Sequence, residues 1–568
     1  MLCTTINVIR RGRIVSLNIS GNIDKKVHII NWVFISAVLS VFSLYAEHCF
    51  LQSPDNRLLI LLKATAYLFV YLAAGLLTDN LCRKFKLDHR QRPTMSAVSV
   101  LTLSALFFFI FLIWLIVCYP GVCGWDTVNQ IIDLLTGTNP LPFSWISGQP
   151  EVSALMNDHH PVFTTIIFSL FYNLGQALFK NPNAGMFLYC LLQIGLMAIL
   201  FSYTIDMLWK LGVPECIVCC CVLFYCMPFV AFYAIAMLKD TMFSLFFLGY
   251  YIHYIRIAEL SVKQKEIKKT TFIIHILLSV FIALTNKKGI YIALFSNILL
   301  AFLTPKAGKR RLYMLVSAVI PYFLVVVILG RVLFPLLNIY PGGKQEALGF
   351  AIQQTSKALM TYPDSFSDED QAVYYRVISI APGTVNDHFQ EHTTDGIKTC
   401  FNYYASSDEI RDFVKLWIKQ GVKHPRVYLH ALFSVCGGYF APVKTINIYQ
   451  ETVYSDKIQA FSQPEKLKDV RSAVSAFYNW LTHFPGLLLF FQDWLYCWFI
   501  PVMVFILLVM NGKIKYTIML APLAANIVFL ILGPVCWSRY ALCQIYTVPL
   551  VLGIPFRSYN SVNSEQIS

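Results

Sequence analysis

The stretch PVFTTIIFSLFYNLGQALF, residues 161–179, decides how the rest of the chain is read. It is long and apolar enough to cross a bilayer. Yet Thr165, Ser169, Asn173 and Gln176, with Lys180 just beyond, follow one another at steps of 4, 4, 3 and 4. Helical geometry gathers residues so spaced on one face. A helix with one polar face also suits the membrane interface, lying along it rather than through it. The two readings put everything downstream on opposite sides of the membrane.

That a membrane is involved follows from composition. Of 568 residues, 57% are hydrophobic and only 13% charged, about half the charged share of a soluble domain. Mean hydropathy is +0.59. A soluble chain of this length would divide into domains joined by polar linkers, and residues 1–330 contain none. A cytosolic enzyme, a disordered protein and a secreted disulfide scaffold are excluded. The net charge of +14 fits the positive-inside pattern of membrane proteins and does not call for nucleic acid as a partner.

Twelve further apolar runs approach span length: 27–46, 58–78, 95–119, 184–208, 214–236, 240–257, 271–286, 289–304, 312–334, 494–510, 516–533 and 541–556. The first follows Arg10, Arg11 and Arg13 like a signal peptide. It lacks a small-x-small cleavage site and reads as a retained anchor. If residues 161–179 do not cross and the N-terminus is cytoplasmic, the basic clusters all fall inside. These are Arg10 to Lys26, Arg83 to Arg92, Lys210, Arg256 to Lys269, Lys306 to Arg311, Lys513 with Lys515, and Arg557. If the stretch crosses, every cluster beyond Lys180 moves outside. The non-crossing reading keeps the charge rule.

The expected architecture is an all-α polytopic membrane protein of about twelve spans, with both termini cytoplasmic. Residues 1–94 form an extra N-terminal hairpin. Residues 95–334 form the core, with an outer loop at 120–183 that carries the interfacial helix. Residues 335–493 form a mainly helical outer domain, and 494–568 the last helices and a short polar tail. Cys216, Cys219, Cys220, Cys221 and Cys226 lie in one apolar run with almost no polar support for a metal, and read as small hydrophobes. Cys400 and Cys436, in the outer segment, leave a disulfide open.

The informative residues are charges at the outer edge of the spans. Asp126 follows the Gly-containing turn at Gly121 and Gly124. Asp158, His159 and His160 precede Pro161. Two acids and two imidazoles suit a divalent cation or general-base work on a hydroxyl. Loop solvation with a helix cap is the alternative. Lys239-Asp240 sits in a short outer turn, either functional or a snorkelling lysine with a capping aspartate. Lys287-Lys288-Gly289 is an outer exception to the charge rule. Either a bound anion or lipid headgroups account for it. Arg539, between Trp537 and Tyr540, could hold a phosphate bidentately or anchor the interface.

In order and sidedness these positions resemble the GT-C superfamily of integral-membrane glycosyltransferases, which includes protein O-mannosyltransferases and aminoarabinose transferases. Asp126 is similar to that family's acid after a span in the first outer loop. His160-Pro161-Val162 resembles its His-Pro-Pro-Leu motif without the second Pro and the Leu. Lys287-Lys288-Gly289 looks like its outer basic-x-Gly start of a span, and Arg539-Tyr540-Ala541-Leu542 partly matches a late Arg-Tyr motif. More closely, the chain resembles an uncharacterised family of bacterial multi-pass proteins related to these enzymes. Gly124-Trp125-Asp126-Thr127, His159-His160-Pro161, Leu238-Lys239-Asp240, Gln353-Gln354, Leu416-Trp417 and His424-Pro425 carry that likeness. Thr127 stands where the superfamily often has a second acid.

The resemblance implies a cell-membrane transferase acting on the extracytoplasmic face. It would move a sugar from a polyprenyl-phosphate donor to a cell-envelope acceptor. Asp126 would orient or deprotonate the acceptor. Lys287, Lys288 and Arg539 would hold the donor phosphate, with Tyr540 beside them. Asp158, His159, His160, Lys239 and Asp240 would position substrate. A divalent metal, if used, would fall to Asp126, Asp158 and His159. Asp126→Asn is expected to leave expression near normal. A transporter or flippase of a lipid-linked glycan is the rival reading, and a membrane scaffold a third. The charges at the outer edge rather than mid-bilayer, and the absence of a half-to-half repeat, favour the transferase.

Overall fold

The computed structural model describes residues 21–52, 56–85, 92–136, 138–140, 151–303, 308–447, 462–484 and 486–559. The cluster at Arg10, Arg11 and Arg13 and the polar tail beyond 559 lie outside the described residues. The chain is overwhelmingly helical, with a few strands of two or three residues. It divides into two units: Met1–Leu44 with Asp55–Lys84, and Tyr45–Pro54 with Phe85–Ser568. In the first, the helices Gly21–Leu51 and Arg57–Phe85 are tied by Ser40 Oγ donating to the Ala64 carbonyl at 2.7 Å and by Ser43 Oγ against Tyr71 OH at 2.8 Å.

Each of the twelve apolar runs is helical, but the expected dozen spans is not reached on length and composition. Among the described residues seven helices are long and apolar enough to cross a membrane, or eight if one bent pair counts as a span. The bent pair is run 214–236, where Glu215–Tyr225 and Pro228–Ala234 meet at 51°. Pro228 opens the second piece because it has no N–H to continue the first. Lys269–Thr285 and Leu495–Met510 are apolar but short. The helix that follows Gly308 holds Pro321 and passes into an 11-residue π-helix, Phe323–Leu333.

Val162–Phe179 is itself among the seven, so apolarity alone does not separate the two readings of it. Its packing adds information. Ala97–Val117 runs beside the second half of the Pro182–Lys210 helix. Ser104 Oγ lies 2.6 Å from Ser202 Oγ, and Phe107 and Phe111 both meet Phe201. Val162–Phe179 instead packs on the first half, with Phe168 and Phe171 edge-on to Tyr189. The end of Ala97–Val117 reaches the same part of that helix, with Tyr119 against Phe187.

The large unit has a continuous apolar core through the helical bundle and a second around Ile352, Tyr374, Phe401 and Phe413. The second core belongs to a helical assembly in the segment expected to form the outer domain. Its helices Asp368–Val377 and Ser407–Lys423 each begin with a capping box, on Ser367 and Ser406. Cys400 and Cys436 are free and buried.

Candidate functional site

Two short parallel ladders assemble the site. Val122 and Cys123 pair with Ala236 and Met237. That register sets Gly124-Trp125-Asp126 beside Leu238-Lys239-Asp240, although more than 100 residues separate them. Thr127 reinforces the junction, its Oγ1 donating to the Met237 carbonyl at 2.5 Å. The second ladder pairs Met156 and Asn157 with Ile339 and Tyr340, and the Asp158 N–H donates to the Tyr340 carbonyl at 2.8 Å. It brings the chain after residue 335 onto Asp158-His159-His160.

Asp126 is the hub. Its Oδ2 accepts from Lys239 Nζ at 3.0 Å and lies 3.3 Å from an Arg539 guanidinium nitrogen. Lys239 Nζ also lies 2.8 Å from His160 Nδ1. Since an ammonium only donates, that nitrogen is the acceptor and His160 carries its proton on Nε2. Arg539 Nε is 3.9 Å from Asp240 Oδ2, and Asp240 Oδ1 accepts from Asn286 Nδ2 at 3.3 Å. Asn286 in turn receives the Lys288 N–H at 3.2 Å. Lys288 Nζ donates to the Tyr540 carbonyl at 3.1 Å and lies over the Phe243 ring. Arg539 donates to Tyr540 OH at 3.0 Å and sits over the rings of Trp537 and Tyr540. At the other edge Lys287 Nζ is 3.3 Å from Asp158 Oδ1, which also accepts from the Gly342 N–H.

All ten residues singled out in the sequence thus fall in one neighbourhood, His159 through its ring contact with His160 at 4.5 Å between centroids. Burial and neighbouring charges set the protonation of Asp126 and of the two histidines. Burial alone would push the Asp126 carboxyl up, but the charges of Lys239 and Arg539 hold it well below the usual carboxylate range. Burial is the main reason both histidines are depressed. His159 falls to about 4, and His160 lies well below the ordinary value with Lys239 adding to the effect. The site holds an ionised carboxylate between two cations, beside two neutral imidazoles.

Two cavities open here. One, of about 690 Å³, is mostly apolar, running from Asp158, His160 and Lys287 between Phe163, Tyr291 and the π-helix, with Arg331 on that wall. The other, of about 220 Å³, is polar and lined by His159, Lys239, Asn286, Lys287, Gly342 and Glu346. Pro161 and Lys287 line both. Of the three cations expected around a phosphate, only Lys287 reaches these cavities. Lys288 and Arg539 line neither, being engaged with Tyr540 and the two acids. Among the described residues no group of three or more His, Cys, Asp or Glu could hold a metal. Of the metal candidates Asp126, Asp158 and His159, Asp126 Oδ2 is met by Lys239 and Arg539, and Asp158 Oδ1 by Lys287 and the Gly342 N–H.

The family comparison matches residues 33–566 to DUF6020, a family of unknown function. The chain belongs to DUF6020. No curated protein and no solved structure matches this DUF6020 chain.

Sequence reasoning missed four residues that line these cavities or bridge the cluster. Asn286 bridges Asp240 to the Lys288 backbone, and its signal was an amide just before two outer lysines. Gly342 comes so close to His159 that a Cβ there would lie 2.9 Å from the His159 Cα. The run Pro341-Gly342-Gly343 carried that signal. Glu346 enters the polar cavity from the helix Gln345–Thr361 and is held by Lys398 at 3.1 Å. Arg331 was a lone charge inside an apolar run.

Proposed function

We propose that this chain is an integral-membrane glycosyltransferase that moves a sugar from a polyprenyl-phosphate donor to a cell-envelope acceptor on the outer face of the cell membrane. The observation that carries this reading is the union of the two cavities at Pro161 and Lys287, beside the Asp126–Lys239–His160 cluster. A long apolar cavity suits a lipid chain. A small polar one suits a sugar. The cation shared by both stands where a phosphate joining chain and sugar would lie. The distribution of basic clusters supports the non-crossing reading that puts the site outside.

In this reaction the acceptor hydroxyl oxygen bonds to the anomeric carbon of the sugar. The bond from that carbon to the phosphate oxygen breaks, and its electron pair stays on the lipid phosphate. Lys287 stabilises the charge that grows there. The acceptor proton goes to a neighbouring base. Asp126, pinned between Lys239 and Arg539, orients those cations and is a weak proton acceptor. His159 lines the polar cavity and is neutral, so its unprotonated nitrogen takes the proton, although burial keeps it a weak base at about 4. The flippase alternative gains no support from an apolar and a polar cavity that share Lys287, an arrangement that suits chemistry at a junction.

The test is genetic and chemical. Cells in which Lys287→Gln replaces the native chain should accumulate a polyprenyl-phosphate sugar and lose that sugar from an envelope glycan, glycolipid or glycoprotein. Unchanged lipid-linked sugars and unchanged envelope glycans, with the variant present at normal level, would overturn the transferase reading.

A further inference from the structure

We infer that Arg331 is the second cation of a lipid-phosphate site. The apolar cavity holds an amphiphile whose chain lies along the π-helical wall and whose phosphate sits between Arg331 and Lys287. This deepens the transferase reading at its donor site, but rests on the cavity itself.

Arg331 belongs to the apolar stretch Arg310–Leu336, long enough to cross a membrane. A guanidinium inside such a stretch is costly unless it meets an anion, water or headgroups. It lies five residues before the end of that stretch, roughly 8 Å along a helix axis. An arginine so placed could simply extend to the interface, yet Arg331 lines the cavity with Lys287, Asp158 and His160. Asp158 is the only acid on that lining, and Lys287 and the Gly342 N–H already engage its carboxylate. Among the described residues no ion pair includes Arg331. The cavity therefore offers a surplus of positive charge beside a long apolar surface.

The backbone is built for this. Through Phe323–Leu333 the helix is π-wound, and no residue in that segment is buried. A wider winding turns successive side chains differently from an α-helix, and such segments concentrate at functional positions. Leu324, Val325, Leu329 and Phe334 line the chain cavity along with Arg331. Ile166, Tyr291 and Leu337 on its lining are each 47–53% exposed, so the cavity is open to the surface there. A lipid could enter laterally and keep its headgroup against the two cations. A sugar beyond the phosphate would then reach the polar cavity that Lys287 shares. An anion with a long apolar chain matches this charge and shape. A zwitterionic lipid would bring its own cation to the same place.

The experiment measures binding to the full-length protein in neutral detergent. The probes are a citronellyl-type isoprenoid monophosphate and the matching uncharged isoprenoid alcohol, followed by thermal stabilisation and by competition with a fluorescent lipid phosphate. Wild type should prefer the phosphate. Arg331→Gln should weaken it about 10- to 100-fold, the scale of a lost charge-assisted contact. Arg331→Lys should keep most of the affinity, and the alcohol should bind all three alike. Equal phosphate binding by wild type and Arg331→Gln, or parallel loss of phosphate and alcohol, would overturn the role of Arg331 while leaving the transferase reading standing. A wild type that discriminates neither probe would overturn the lipid-phosphate site and, with it, the donor class.

Discussion

Replacing Asp126 by asparagine removes the one anion that faces both Lys239 and Arg539. The contacts are 3.0 and 3.3 Å. With an effective dielectric of about 20, Coulomb's law gives each roughly 5 kcal/mol of gross attraction. Desolvation of the charges cancels much of that. The measured scale for breaking one side of a buried pair is about 3–5 kcal/mol. The Asp126 side chain keeps 26% of its surface exposed, so the lower end, about 3 kcal/mol, is the expected loss for Asp126→Asn. The carboxylate organises the site as well as serving it, so a loss of stability is expected alongside any loss of activity. Lys239→Gln alone should cost less, since Arg539 keeps both acids. In the double variant Arg539 still has Asp240 and the Lys239 charge is gone, so its cost should fall below the sum of the singles by about 1–3 kcal/mol. Urea unfolding in mixed micelles, followed by tryptophan fluorescence, measures all four proteins. If Asp126→Asn unfolds within about 0.5 kcal/mol of wild type, or if the two substitutions simply add, the hub reading fails.

Three further outcomes are expected. The neutral imidazole of His159, held down to about 4 chiefly by burial, gives stability that is complete above the unfolded value of about 6.5 and declines as pH falls towards 4, because the unfolded chain takes up its proton first; His159→Asn should flatten the melting profile across that window, and an unchanged slope would count against it. Gly342→Ala should cost about 1–3 kcal/mol by denaturation, because the new Cβ would sit 2.9 Å from His159 Cα and 3.0 Å from Asp158 Oδ1; a neutral substitution would mean that the approach is looser than described. In a background without the exposed cysteines Cys216, Cys219 and Cys220, Gln264→Cys should stay unreactive to an impermeant thiol reagent on intact cells while Arg411→Cys reacts, and the opposite pattern would reverse the sidedness drawn from residues 161–179.

The sequence revealed charges by their cost. Asp126, Lys239, Lys287 and Arg539 stood out because ionisable groups at the edge of apolar runs need a reason, and the fold gathers them. Their partners were less legible. Which cation serves which acid depends on ladders only two residues long, such as Val122–Cys123 on Ala236–Met237. A pairing that short leaves no alternation to read. For the same reason Lys288 and Arg539 looked equivalent to Lys287 as phosphate holders. Only the helix turn at Asn286 turns Lys288 towards Tyr540 and leaves Lys287 at the cavities.

Arg331 shows the other limit. It obeyed the principle that exposed the rest, a charge where apolar residues dominate, but it lay within the last turn of a run rather than just beyond it. There, hydropathy averages it away: the window around it is still apolar enough for a span. The same averaging hid the π-wound backbone, whose side chains are as apolar as those of an α-helix and leave the period of the sequence unmarked. The lipid entry proposed above calls for a wall that is apolar over its length and charged at one point. In sequence that wall reads as an ordinary span with one residue out of place. Arg331 beside Lys287 makes the odd residue the most economical evidence for what the cavity takes.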